Sequence, residues 1–210
     1  GLGLRRIGAR GVLLDELGVG DGGIVREAVK HPGVREVHLV EIDGQVIEIC
    51  RKFFPNISCE LDNPRVKVHV EDGIEFVKNV KDPYDVVIID SSEPIGPGIG
   101  LFTQEFYRSV SKALAPDGLM VAQTESPFYN QDVIKMAWSG ISATFPIAQL
   151  YLAAVPTYPS GLWSLTMGSK KYNPLEVRSD RFQGISTKYY TPDVHWAAFS
   201  LPRFVEELLR

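Results

Sequence analysis

Asp90 and Glu93 stand three residues apart where a short apolar run gives way to a loop, in the stretch YDVVIIDSSEPIGPGIG over residues 84–100. In an open α/β sheet, ligands bind in the crevice outside the carboxyl ends of the strands. Two carboxylates placed there suit chemistry on a cation. The same spacing also allows a plainer arrangement, in which Asp90 caps the strand loop and Glu93 is solvated.

Further acids recur at comparable points. Gly18, Gly20 and Gly23 of GVGDGG fit the G-x-G-x-x-G pattern, and residues 24–31 are helical in composition up to the stop at His31-Pro32-Gly33. Residues 36–42 then alternate as a strand, with Glu41 near its end. An acid about 20 residues past a glycine loop is the expected partner of two ribose hydroxyls. Asp72 and Gly73 follow a third strand, residues 65–70. A carboxylate beside a backbone amide at that point could read the amine and ring nitrogen of an adenine, and Asp72 could equally cap a helix over 74–80. Asp21 lies inside the glycine loop, where it would repel a pyrophosphate or the carboxylate of ordinary S-adenosylmethionine. It would attract a tail that ends in an amine. Together these acids describe a pocket for an adenosine-bearing molecule with an amine tail, and for a second amine beside it.

The elements needed to hold such a pocket alternate along the chain. Residues 44–54 form an amphipathic helix closed by Pro55, with Cys50 on an apolar face shared with Val46, Ile49 and Phe53. Residues 84–90 are a fourth strand, and 102–114 a helix stopped by the turn Ala115-Pro116-Asp117-Gly118. A fifth strand over 119–124 and a helix over 130–145, capped by Asn130, follow. Residues 150–155 and 163–168 flank a loop short enough to require antiparallel pairing. The tail is loop-rich, with short helices after Pro192 and from Pro202. One segment fits poorly: Asp15-Glu16 interrupt Val12-Leu13-Leu14, where a first parallel strand should run apolar into the glycine loop. The expected fold class is α/β, a doubly wound Rossmann-like sheet of the S-adenosylmethionine-dependent methyltransferase type, mostly parallel with an antiparallel C-terminal edge.

Composition narrows the function. A formal charge of −4 and a pI near 5.6 speak against a general nucleic-acid surface. No apolar run approaches the length of a membrane span, and no signal peptide is read at the start. Two cysteines, Cys50 and Cys59, fit a reducing cytoplasm. His38, His69 and His195 are scattered without ligand spacing, so no metal site is expected.

At these residues the chain resembles the polyamine aminopropyltransferases, most closely those of the bacterial spermidine synthase type. The matching stretches are GVGDGG, LVEID, VEDG, YDVVIIDSSEPIGP with LFTQEFY, VAQTES, VPTYPSGLW and TKYYTPDVHWAAFSLP. The resemblance implies transfer of the aminopropyl group of decarboxylated S-adenosylmethionine to putrescine, giving spermidine and methylthioadenosine, with no further cofactor and no metal. It implies Asp90 as proton acceptor and Asp90, Ser91, Ser92 and Glu93 as polyamine ligands, with Gln123 and Tyr158 lining the amine site. It implies Gly18, Gly20 and Asp21 around the donor tail, Glu41 on the ribose, Asp72 and Gly73 on the adenine, and Pro97 beside the methylthioadenosine.

Family members also begin with a small β-rich domain, and Val19 stands where they usually carry glycine. Residues 1–17 are accordingly read as an atypical remnant and 18–210 as the catalytic domain, with a homodimer or homotetramer expected for the full-length form. The rival readings are a nicotinamide dehydrogenase, disfavoured by Asp21, a small-amine N-methyltransferase on the same fold, and an inactive truncated relative acting as a binding module.

Overall fold

The computed structural model describes residues 11–15, 20–91, 94, 96–178, 182 and 187–210; of residues 13–15 and of Pro97 it describes the backbone alone. Seven strands form one sheet: β1 (Val12–Asp15), β2 (Val37–Glu41), β3 (Val66–Val70), β4 (Tyr84–Ile89), β5 (Leu114–Gln123), β6 (Ile147–Ala154) and β7 (Leu162–Ser169). Their order is β3-β2-β1-β4-β5-β7-β6. The first five pair in parallel, while β7 runs antiparallel to both β5 and β6, which gives the expected antiparallel edge. The chain winds outward from β1 to β2 and β3, then returns to place β4 on the other side of β1. The order therefore reverses between β1 and β4, and that switch point is where a crevice opens at the strand ends.

The ill-fitting first segment is a strand after all. β1 stops at Asp15 and lies between β2 and β4, with Val12 beside Val37 on one side and Val86 on the other. Sheet hydrogen bonding on both flanks outweighs an acid at the strand end, so the parallel sheet takes in residues before position 18.

Helices α1 (Gly23–Val29), α2 (Gly44–Phe53), α3 (Gly73–Lys78), α4 (Gln104–Ala113) and α5 (Gln131–Ser142) connect these strands, and α6 (Pro192–Ala198) and α7 (Arg203–Glu206) end the chain. One buried cluster joins Val87, Tyr107, Met120 and Ile141, and a second joins Val25, Leu39, Ile47 and Val86. A third, Ile134, Leu150, Val205 and Leu208, fastens the C-terminal turns onto α5 and β6.

Several local expectations need correction. α2 buries Ile47 and Cys50, whereas Ile49 and Phe53 are exposed, so the apolar residues spread beyond the face that packs. Residues 96–102 form a 3-10 turn, and α4 starts only after Thr103, whose Oγ1 accepts from Phe106 N at 3.2 Å. The strand assigned from Leu119 begins at Leu114: Tyr84 pairs with Leu114 and Val86 with Leu119, so residues 115–118 bulge within β5. Asn130 occupies the N-cap position of α5 without a side-chain capping bond.

Candidate active site

The β1–α1 loop and the end of β4 flank the switch point, which places Asp21 and Asp90 on either side of it. Asp21 Oδ1 accepts from Gly23 N at 2.6 Å, so the side chain stays folded against the start of α1. Gly22 makes the turn possible. Its φ is +83°, and a Cβ there would also fall 3.0 Å from Leu61 Cδ2. The left-handed position is thus a glycine that the G-x-G-x-x-G spacing does not count. Gly20 matters for approach: a Cβ would lie 2.9 Å from Cγ of Glu41. The loop backbone therefore rests against the Glu41 side chain at the end of β2.

Glu41 is buried at the mouth of this crevice, and its Oε1 accepts from Asp43 N at 2.8 Å. Asp72 caps α3, accepting from Ile74 N at 2.8 Å, and Gly73 behind it is buried. The capping expectation holds, and it fixes the carboxylate at the strand end. The turn that carries Pro97 closes over the same helix, since a Cβ on Gly100 would collide with Ile74 Cδ1. Gly18, Ser92 and Glu93 lie outside the described residues.

Asp90 is a strongly perturbed carboxyl at the crevice. Burial, and then the negative charge of Asp21, push its pKa up to about 6. Ser91, the next residue, is 1% exposed, and its Oγ has no hydrogen-bond partner. Its carbonyl accepts from Gln123 Nε2 at the end of β5, while Gln123 Oε1 accepts from Trp163 Nε1 at 3.0 Å. The Trp163 ring meets Tyr158 with centroids 4.4 Å apart. Burial raises the Tyr158 phenol, as do the charges of Asp90, Glu125 and Asp21 in that order. One hydroxyl thus feels three carboxylates from three different loops.

Glu125 is the residue that sequence reasoning passed over. It is 1% exposed, and it adopts φ 76°. For a side chain of this kind the left-handed region is strained, by roughly 1–3 kcal/mol. Ser164 holds the turn: its backbone N and its Oγ both donate to the Glu125 carbonyl, at 2.9 and 2.8 Å. Thr124 Oγ1 bonds Ser164 Oγ and Thr166 Oγ1 at 2.9 and 3.0 Å below it, with all three residues fully buried. The available signal was its place one residue past Thr124 at the carboxyl end of a strand, the same kind of place that picked out Asp90.

The histidines depart from their scattered appearance in sequence. His38 and His69 meet on the β2–β3 flank, Nδ1 to Nε2 at 3.1 Å, and Tyr84 Oη lies 2.9 Å from the same Nδ1. His38 Nε2 lies 3.2 Å from Glu36, which also pairs with Lys67. A cavity of about 700 Å³ lies beside them, away from Asp21, Asp90 and Glu125. The ring nitrogens bond to one another, and among the described residues no group of three or more His, Cys, Asp or Glu is placed to hold a metal.

A mostly parallel sheet with a switch-point crevice, acids at its strand ends and a buried carboxyl places the chain in the Rossmann-like, methyltransferase-fold class of transferases. Residues 8–179 match the model of the spermine/spermidine synthase domain, and the chain belongs to that family. The polyamine aminopropyltransferase of Caldicellulosiruptor bescii is 53% identical over 194 residues, covering 92% of this chain and 70% of its own. That of Bacillus subtilis is 50% identical over 194 residues with the same two coverages. A crystal structure of spermidine synthase in complex with the transition-state analogue AdoDATO superposes with a TM-score of 0.91. It is 42% identical, and the match covers 96% of this chain and 70% of that one.

Proposed function

We propose that this chain transfers the aminopropyl group of decarboxylated S-adenosylmethionine to putrescine, giving spermidine and methylthioadenosine. The observation that carries the reading is the match to the spermine/spermidine synthase domain over a chain whose Asp21 and Asp90 flank the switch point, with Glu125 at the end of the neighbouring strand. Such a site favours ligands that bring positive charge, and both substrates do. Neither the N-methyltransferase nor the binding-module reading is favoured by the relatives.

The chain's own groups divide the work. Gly20 and Asp21 hold the aminopropyl tail, with Gly18 of the same loop. Glu41 accepts from the ribose hydroxyls, Asp72 and Gly73 meet the adenine, and Pro97 borders the nucleoside. Ser91, Ser92, Glu93, Gln123 and Tyr158, with Glu125, surround the amine. An alkyl ammonium, with a pKa near that of lysine at about 10.4, has no lone pair at neutral pH. Asp90 takes one proton from it, and the freed lone pair attacks the carbon next to the sulfonium. As the new C–N bond forms the C–S bond breaks, its electrons neutralise the sulfur, and the positive charge passes to the new secondary amine. The thioether leaves neutral, so the step asks for no acid. A carboxyl whose pKa stands near 6 is a better proton acceptor than an ordinary aspartate and remains mostly ionised at pH 7. Aligning the two substrates supplies much of the rest.

The catalytic unit in this reading is the expected 18–210 together with β1, which lies between β2 and β4. A β-rich contribution to the amine pocket, assembly as a homodimer or homotetramer, and a cytoplasmic setting belong to the same proposal. No helix among the described residues is long and apolar enough to cross a membrane. The test is calorimetry with methylthioadenosine, S-adenosylmethionine and NAD, together with mass spectrometry of products from decarboxylated S-adenosylmethionine and putrescine. Methylthioadenosine binding and spermidine formation are expected. Binding of NAD but not of methylthioadenosine would overturn the reading.

A further inference from the structure

We propose that Trp163 is a positioning residue for the transfer step, acting through the Gln123 amide on the backbone that follows Asp90. This rests on the aminopropyl-transfer reading, and it changes the part given to Gln123.

The chain of contacts has one possible direction. The Ser91 carbonyl can only accept, so it must face the Gln123 NH2; the indole Nε1–H can only donate, so it must face Oε1. Both bonds demand the same orientation of the amide. Gln123 is therefore a strut between β7 and the Asp90 loop, with each end engaged inside the protein. Trp163 is 9% exposed and sits just beyond the last β5–β7 ladder pair, Gln123 with Leu165. The pairing continues past that point through Thr124 N to Ser164 O at 2.9 Å and Ser164 N to Glu125 O at 2.9 Å. The indole is thus carried on a rigid ladder rather than on a loop.

At the other end, the Ser91 carbonyl belongs to the first peptide unit after the Asp90–Ser91 link. Fixing it sets the direction in which the chain leaves Asp90. The neighbouring Ser91 Oγ is itself buried and without a hydrogen-bond partner. The same indole face lies against Tyr158, so one side chain braces both the base loop and the phenol that feels the three carboxylates.

Trp163→Phe keeps an aromatic ring for Tyr158 and removes the N–H together with the rest of the five-membered ring, so Gln123→Met, which leaves the indole in place, is the control for lost packing. A buried acceptor left without its donor is a substantial loss, and kcat should fall about tenfold. The KM for decarboxylated S-adenosylmethionine should hold, because Glu41 and Asp72 are untouched. Gln123→Met, similar in size but without the amide, should give a comparable fall, and the double variant should be no slower than Gln123→Met alone. An unchanged kcat in Trp163→Phe, or losses that multiply in the double variant, would overturn the proposal. A second readout is independent of turnover: in ¹⁵N-labelled protein the Gln123 side-chain amide should exchange slowly with solvent and become fast in Trp163→Phe. Equal exchange in the two proteins would overturn the strut. A parent chain that makes no spermidine would count against the proposed function, while the exchange experiment would still decide the strut.

Discussion

Two polar clusters sit on this sheet, and they are built on opposite principles. On the β2–β3 flank, His38, His69, Tyr84, Glu36 and Lys67 answer one another through hydrogen bonds and an ion pair. At the switch point, carboxylates face one another, a glutamate backbone is strained and a serine hydroxyl has no partner. The first cluster has the residue types of a catalytic site and a cavity of about 700 Å³ beside it, yet its interactions close on themselves. The second is incomplete without cations. A polar group left unsatisfied by the fold is the better guide to a ligand than chemical versatility alone.

The contrast is broken or sharpened by substitution on each side. Asp90→Asn should cost about a thousandfold in turnover, in the range of lost general-base catalysis. Methylthioadenosine affinity, measured by calorimetry, should change by less than about threefold, since the nucleoside groups are elsewhere. The same variant should be more stable at neutral pH. Asp90 has a folded pKa raised to about 6 from 3.8, so the native state holds its proton longer than the unfolded chain and stability falls as pH rises through that window. Removing the charge should recover up to about 3 kcal/mol, read as a higher midpoint in denaturant. Lost activity with lowered stability would make Asp90 a structural residue.

The pH profile is a smaller effect on the same group. The rising limb of kcat/KM should have its midpoint near 6 in the free enzyme. The limb of kcat should lie lower, because bound cations favour the carboxylate. Glu125→Gln should raise the KM for putrescine about tenfold and leave that for the donor alone, as expected from one lost charge-assisted bond. Equal changes in both would place Glu125 outside the amine site.

On the β2–β3 flank the expected effects are smallest. Tyr84→Phe should leave turnover unchanged and lower stability by about 1 kcal/mol, the value of one hydrogen bond. Burial lowers the His38 pKa, so its contribution to stability is present above the ordinary histidine value and is lost as pH falls below it. His38→Gln should therefore flatten the loss of stability between pH 7 and pH 5. A drop in turnover from either variant would make this cluster part of the working enzyme.

The alternation of strands and helices, the antiparallel end and the strand-end acids Asp21, Glu41, Asp72 and Asp90 were all legible in the sequence, because burial period and turn residues are local signals. What stayed hidden was non-local. Nothing near Leu13 announced that flanking strands would hold an acid-tipped segment at the centre of the sheet. Nothing near His38 announced His69, which is 31 residues away. Glu125 was missed because its strain depends on Ser164, and the bond from Trp163 to Gln123 stayed hidden because the two lie 40 positions apart.

The place of β7 has a consequence for how the molecule comes to work. β6 is made first yet pairs only with β7, and β7 must slide between β6 and β5. A nascent chain that has completed every acid from Asp21 to Glu125 still lacks the indole and the serine that set two of them in place. Such long-range pairings form late and slowly. Competence should therefore arrive in a single step near the end of folding, and a chain stalled before that point would hold the carboxylates of the site without their alignment.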